Sequence, residues 1–186
     1  MADKNKLEQA ARLILEAIGE DPNREGLLET PRRFAEMMEE QMAYTTVSNE
    51  EIAREFGKTF SSSEEGPVVV KDISIFSHCE HHLALMYHMH VSVGYIPHGR
   101  VIGLSKVARI ADAVSRRLQI QERIGADIRN IIEKVTGSVD VIVRIDGEHS
   151  CMTARGIKKP GAVTTTISSS GKFNTPEYRQ LFKEML

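Results

Sequence analysis

Two short clusters in this chain carry residue types that can bind a metal. The first is Cys79-Glu80-His81-His82, and the second is His149-Ser150-Cys151, which holds the only other cysteine. Cys79 and His82 stand three apart, so one helical turn or tight bend directs both side chains the same way. A thiolate and an imidazole so placed, joined by a second thiolate from afar, form a donor set that selects zinc. Three protein ligands rather than four leave a position for water, which is how catalytic zinc sites are built. Spacing alone leaves another reading open, since free cysteines are often just small core residues. Cys151 enters the set only as the sole remaining cysteine. His81 and His149, one beside each cluster, are candidate proton carriers, and zinc with spare histidines points to hydrolytic chemistry.

Other motifs are weaker when taken singly. All histidines but His149 lie between His78 and His98. His88 and His90 fall two apart, either a second metal pair or, the better reading, one solvated strand face, while His78 and His98 read as loop residues. Gly103-Leu104-Ser105-Lys106 leads into a helix with Arg109 one turn on, either an anion site at a helix N-terminus or an ordinary capped start. No GxxxxGK[ST] run is present, which excludes a P-loop. Glu122, within Gln119-Ile120-Gln121-Glu122-Arg123, reads in isolation as a surface carboxylate. Arg155, Lys158 and Lys159 form a small basic group after Cys151.

The elements that must position these groups can be traced by periodicity. Asp3 caps a helix bearing Leu7, Ala10, Ala11, Ile14 and Ala17 on one face, ended at Gly19. Thr30-Pro31 reads as N-cap and first residue of a helix to about Tyr44, and Ser48 caps a third through Phe56. Ser61 to Gly66 reads as a mobile loop. Val68–Phe76 and Leu83–Tyr95 read as strands, with Pro97-His98-Gly99 as a turn. Ser105 is expected to cap a helix with Val107, Ile110, Ala111, Val114 and Leu118 along one face. A second helix carries Ile124, Ile128, Ile131, Ile132 and Val135. Val139–Ile145 and Val163–Ser168 read as strands, and a short helix follows Thr175. The class is α+β, with two adjacent helices on an antiparallel sheet. Residues 1–60 read as a helical N-terminal extension and 61–186 as the catalytic domain.

Composition is that of a soluble globular chain, with 186 residues, 41% hydrophobic and 27% charged. A net charge of -2 gives no electrostatic footprint for nucleic acid. No apolar run approaches the roughly 20 residues needed to span a membrane, and the charged N-terminus is unlike a signal peptide. The expected compartment is the cytoplasm, where a reducing environment favours thiols over a Cys79–Cys151 disulfide.

Taken together and in order, these motifs resemble the GTP cyclohydrolase I family. The resemblance extends to Glu20-Asp21-Pro22-Asn23-Arg24-Glu25-Gly26-Leu27 and Thr30-Pro31-Arg32-Arg33, to Met152 with Arg155-Gly156, to Thr164-Thr165-Thr166 and to Gly171-Lys172-Phe173. It covers nearly the whole chain. It implies a tunnelling fold, a homodecamer of two pentameric rings with active sites between subunits, and conversion of GTP and water to formate and 7,8-dihydroneopterin triphosphate, the entry step of folate synthesis. It also implies Zn(2+) on Cys79, His82 and Cys151. His81 matches the family's proton donor, His149 a second proton carrier, and Ser105 a residue of the ribose rearrangement. Glu122 matches the carboxylate that reads the guanine edge, with Gln121 and Leu104 lining that pocket. Lys106, Arg109 and Arg155 match triphosphate ligands, and Arg33 matches one supplied by a neighbouring subunit. Two departures stand out. Glu36 occupies a place where some members carry a lysine, and Leu83–His90 lacks the usual proline and turn glycine and is one residue longer than in some relatives. A metal-keeping but catalytically silent module, and other tunnelling-fold enzymes, are the competing expectations. A three-histidine zinc site or a metal-free nucleophilic cysteine would mark the latter, and neither fits this donor set.

Overall fold

The computed structural model describes residues 2–186 and divides the chain into two units, Met1–Thr46 and Val47–Leu186. The first unit holds α1 (Lys4–Ala17), a 3-10 turn (Glu25–Leu27) and α2 (Thr30–Gln41). Asp3 caps α1 by accepting from the Lys6 amide, and positive φ at Gly19 follows its end, as periodicity requires. The start of α2 differs from expectation. Glu29 is the N-cap and Thr30 already helical, because Pro31 is tolerated anywhere in the first turn and fixes no unique boundary. Ala11, Pro31 and Ala35 are the buried residues of the two helices, and Lys4 pairs with Glu39 at 2.7 Å.

The second unit begins with α3 (Asn49–Phe56), so this helix belongs to the compact unit that also carries the strands. Its start is a capping box between Ser48 and Glu51. A five-stranded sheet follows in the order β5-β2-β3-β6-β7, from β2 (Val68–Cys79), β3 (Ala84–Tyr95), β5 (Leu118–Gln119), β6 (Val141–His149) and β7 (Val163–Ser169). All its pairings are antiparallel except that of β5 with β2. β1 (Thr59–Ser61) and β4 (Arg100–Ile102) form a separate antiparallel pair.

The sheet is covered on both faces, and alternation decides which residue meets which cover. Ile145 of β6 lies against Gly125 of α5 (Gln121–Thr136), whereas Gly94 of β3 and Ile142 of β6 lie against Phe182 of α7 (Pro176–Met185). α4 (Leu104–Ser115) packs on β2 and against α5. Val107, Ile110, Ala111 and Val114 of α4, and Ile124, Ile128, Ile131 and Ile132 of α5, are all fully buried. Each fully buried aliphatic side chain contributes about 1.5–3 kcal/mol, so this stripe is the main adhesive between helices and sheet.

Further expectations need correction. Leu118, expected on the apolar face of α4, lies beyond the end of that helix at Ser115 and forms β5 instead. Ser105 does not cap α4: the N-cap is Gly103, in extended conformation with no side-chain bond, and Lys106 N donates to Gly103 O at 2.8 Å. His78 is no loop residue. It lies in β2, which runs three residues past Phe76, and is only 7% exposed. The His98 turn is as expected, with positive φ at Gly99. His88 and His90 are both exposed, but His88 sits at φ 47 in a bulge, where Tyr87 pairs with Glu148 and His90 already with Asp146. The bulge absorbs one extra residue of β3 without disturbing the pairing on either side.

Asp140, 3% exposed, ties the C-terminal segment to the sheet: its carboxylate accepts from Lys172 N at 2.7 Å and faces His98 Nε2 at 3.2 Å. Gly171 approaches it at φ 52, and a Cβ there would collide with that carboxylate and with Val139 O, 2.5 Å away. Gly171→Ala is expected to cost about 2–3 kcal/mol through steric overlap and backbone strain. Thermal unfolding should fall by about 5–10 °C, and an unchanged midpoint would refute this account of the packing.

Candidate metal centre and active site

Cys79 is the last residue of β2, and Glu80–Leu83 form the turn into β3. His82 N approaches Cys79 O at 3.4 Å, closing the bend that sets both side chains on one side. Cys151 comes from α6 (Ser150–Thr153), a single turn directly after β6. Because β3 pairs with both β2 and β6, Met86 stands opposite both Ser77 and His149. Strand register thus carries the second cluster to the first. The donor atoms of Cys79, His82 and Cys151 all lie within 4.8 Å of one another.

This arrangement fits zinc on chemical grounds. Both cysteines are free thiols. Burial, followed by the neighbouring Cys79, pushes the Cys151 thiol up, because two adjacent thiolates repel. A divalent cation removes that conflict and holds both sulfurs deprotonated. Two sulfurs and one imidazole are a set that zinc accepts with a further position left over.

His81 and His149 each stand within two residues of a candidate ligand. His81 Nδ1 is 3.6 Å from Cys79 Sγ, and the His81 side of the turn is exposed. His149 is half-buried, and its Nε2 lies 2.8 Å from Gln121 Oε1. Gln121, only 1% exposed, has its amide nitrogen donating to Ile145 O and Thr164 O at 3.0 Å and facing Thr166 Oγ1 at 3.2 Å. Those acceptors fix which end of the amide is oxygen, so His149 Nε2 must be the donor and Nδ1 the free acceptor. Gln121 therefore holds one tautomer of His149, a role that sequence spacing gave no means of seeing.

Glu122 is exposed at the first turn of α5, close enough to His149 for its charge to be felt there. Leu104 (62% exposed), Ser105 and Arg109 are exposed at the start of α4, and Lys106 Nζ lies 5.9 Å from the Phe56 ring centroid. Arg155 is exposed in the loop after α6. Arg33 is exposed on α2 in the first unit, where Glu36 is engaged by Arg32 at 2.7 Å. A cavity of about 360 Å³ lined by Asn49, Arg117, Asp127 and Lys134, among others, shares no residue with the metal cluster.

The sequence of this chain matches the GTP cyclohydrolase I family model over residues 7–186. The chain belongs to the GTP cyclohydrolase I family. It is thereby an enzyme of that family. The relative named GTP cyclohydrolase 1 in Clostridium acetobutylicum is 59% identical over 180 residues, covering 94% of this chain and 92% of the relative. Those of Clostridium beijerinckii and Clostridium botulinum (strain Kyoto) are 58% and 56% identical over 179 residues, each covering 93% of this chain and 91% of the relative. Among solved structures, an archaeosine synthase QueF-Like in the apo form is 18% identical, with a TM-score of 0.46, covering 59% of this chain and 96% of that one.

Sequence reasoning assigned no role to four residues at the edges of this candidate site. Tyr87 OH lies 2.8 Å from Thr153 Oγ1 and so ties α6 to β3. Glu80 and Arg123 form an ion pair beside the ligand turn. The only signal was their position inside or next to the quoted motifs.

Burial holds His149 below the ordinary histidine value of 6.5, and the Glu122 carboxylate opposes this. A lowered folded value means the native state takes up this proton later than the unfolded chain as pH falls. Its stabilising contribution is therefore complete above 6.5 and lost as pH drops through the lower folded value. Glu122→Gln should lower the His149 titration further in the metal-free chain, read by imidazole NMR. An upward shift would contradict this electrostatic arrangement.

Proposed function

We propose that this chain converts GTP and water to formate and 7,8-dihydroneopterin triphosphate, the first step of tetrahydrofolate synthesis, as a zinc-dependent cytoplasmic enzyme. The observation that carries the reading is the convergence of Cys79, His82 and Cys151 from two remote parts of the chain. Among the described residues no helix is long and apolar enough to cross a membrane.

Zinc held by these residues supplies Lewis-acid activation of water near neutral pH. The remaining chemistry falls to the chain's own groups. The imidazole-ring carbon of guanine is a poor electrophile until the adjacent nitrogen is protonated, and we assign that proton to His81, which lies beside Cys79. His149 is kept neutral by burial and oriented by Gln121, which leaves Nδ1 as the acceptor for the later ring-opening and rearrangement steps. Ser105 serves the ribose rearrangement.

Glu122 accepts the N–H donors of the guanine edge, since an ionised carboxylate only accepts. Leu104 and the Gln121 segment wall that pocket. Lys106, Arg109 and Arg155 neutralise the triphosphate, whose charge calls for several cations. Glu122, Leu104, Arg109 and Arg155 are all exposed in the single chain, and a pocket that excludes water needs further walls. We assign these to neighbouring copies in a homodecamer of two pentamers, with Arg33 contributed across a subunit boundary.

The deciding experiment incubates zinc-loaded protein with GTP and follows formate together with the fluorescence of the oxidised pterin product. Both should appear, and both should vanish with a chelator. Bound zinc and an intact oligomer with neither product would overturn the reading. His81→Ala should retain zinc and lose about 10²–10⁴-fold in formate release, the range typical of general acid–base catalysis. A near-wild-type rate would remove His81 from the proton-donor role. Cys151→Ser should lose stoichiometric zinc, measured by metal analysis, and retention would remove it from the ligand set.

A further inference from the structure

Arg123 and Glu80 have no place in the chemistry above, yet they connect its two halves. Arg123 Nη2 donates to Glu80 Oε2, the side chain that stands between ligand Cys79 and proton donor His81. Arg123 belongs to the first turn of α5, immediately after Gln121 and Glu122. A surface ion pair of this kind usually contributes about 0–1 kcal/mol, because two long side chains must be immobilised for it. Here the immobilisation is already present.

Arg123 Nε donates to Gln119 Oε1 at 2.6 Å, and Nη2 also reaches Leu118 O at 3.2 Å. Gln119 is 1% exposed, and its amide nitrogen bonds Val114 O at 3.2 Å and Asp127 Oδ2 at 3.3 Å. Asp127 in turn accepts from Asn49 Nδ2 at 2.9 Å and pairs with Arg117 at 3.6 Å. On the other side, Glu80 N donates to Gln119 O at 3.0 Å. Glu80 is thus gripped twice, by backbone and by side chain, through a network rooted in the part-buried Asn49–Asp127 contact between α3 and α5. Such satisfied networks hold geometry more firmly than isolated pairs.

Resting on the zinc and GTP reading above, we infer that Arg123 is a positioning residue. Through Glu80 it locks the metal-binding turn 79–82 to the N-terminus of α5, so that the zinc ligands and the guanine-reading Glu122 keep one spacing. The consequence is coupling: loosening this link weakens metal binding and catalysis together, while the helix-and-sheet core remains intact.

The test measures zinc affinity by chelator competition on Glu80→Gln, Arg123→Met and the double variant, with thermal unfolding of the metal-free chains alongside. Changes to groups that orient metal ligands commonly cost about 10–100-fold in affinity. Each single variant should lose about 10-fold and the double no more than either, since both remove one link. Metal-free unfolding should stay within a few degrees of wild type. Glu80→Gln alters only a charge at a half-exposed turn, so it reports even if Arg123→Met folds poorly. In steady state at saturating zinc, kcat should fall more than KM rises.

Wild-type zinc affinity in the singles, or losses that multiply in the double variant, would overturn the inference. So would a loss of zinc affinity matched by an equal loss of metal-free stability. Failure of the wild-type protein to bind zinc or turn over GTP would instead strike the proposed function, and is read from the unmodified chain.

Discussion

The register of β2, β3 and β6 is the constraint on which everything else in the second unit depends. A strand pair shifted by one residue turns every side chain to the opposite face. Here Ser77 and His149 share a partner in Met86, and that pairing places Cys79 and Cys151 at one end of the sheet. The bulge at Tyr87–His90 is part of the same constraint. It takes up one residue in β3, so the pairing nearest the ligands and the pairing deep in the sheet are both kept.

Register is held by burial on both faces. Val91, Val93, Val143 and Ile145 are buried on the face toward α5 and Ile142 on the face toward α7, so slippage would move aliphatic side chains out of the packing they now share. The same burial sets α5 against the sheet at Gly125, which lies against Ile145 and Ser168. Helix placement then fixes Gln121, which reaches from the first turn of α5 to the β6 and β7 backbones and to His149. One buried amide thus joins the core to the chemistry.

Much of the fold was legible. The apolar stripe of α5 came directly from helical period, because one face of a long helix leaves a repeated signal. The Asp3 and Ser48 caps followed from local hydrogen bonding that needs no partner element. The short strands β1, β4 and β5 were not legible, since two or three residues carry no period. His78 read as a loop residue because β2 continues through Ser77-His78-Cys79, where the expected alternation gives way to three consecutive buried residues. The Ser105 cap failed for a different reason: serine chemistry was present, but Gly103, with no side chain to signal, makes the turn.

The sequence by itself determined the donor inventory, two cysteines and a cluster of histidines, and the local bend that aims Cys79 and His82 together. Those are properties of residue type and short spacing. It also held motifs whose order carries the resemblance to GTP cyclohydrolase I. Only the tertiary structure decided that Cys151 reaches the same point, that Gln121 selects the tautomer of His149, and that Arg123 reaches back to Glu80. Each of these joins residues far apart along the chain. Their meeting depends on sheet register and helix docking, and these are set by the burial of the whole core rather than by the residues that meet.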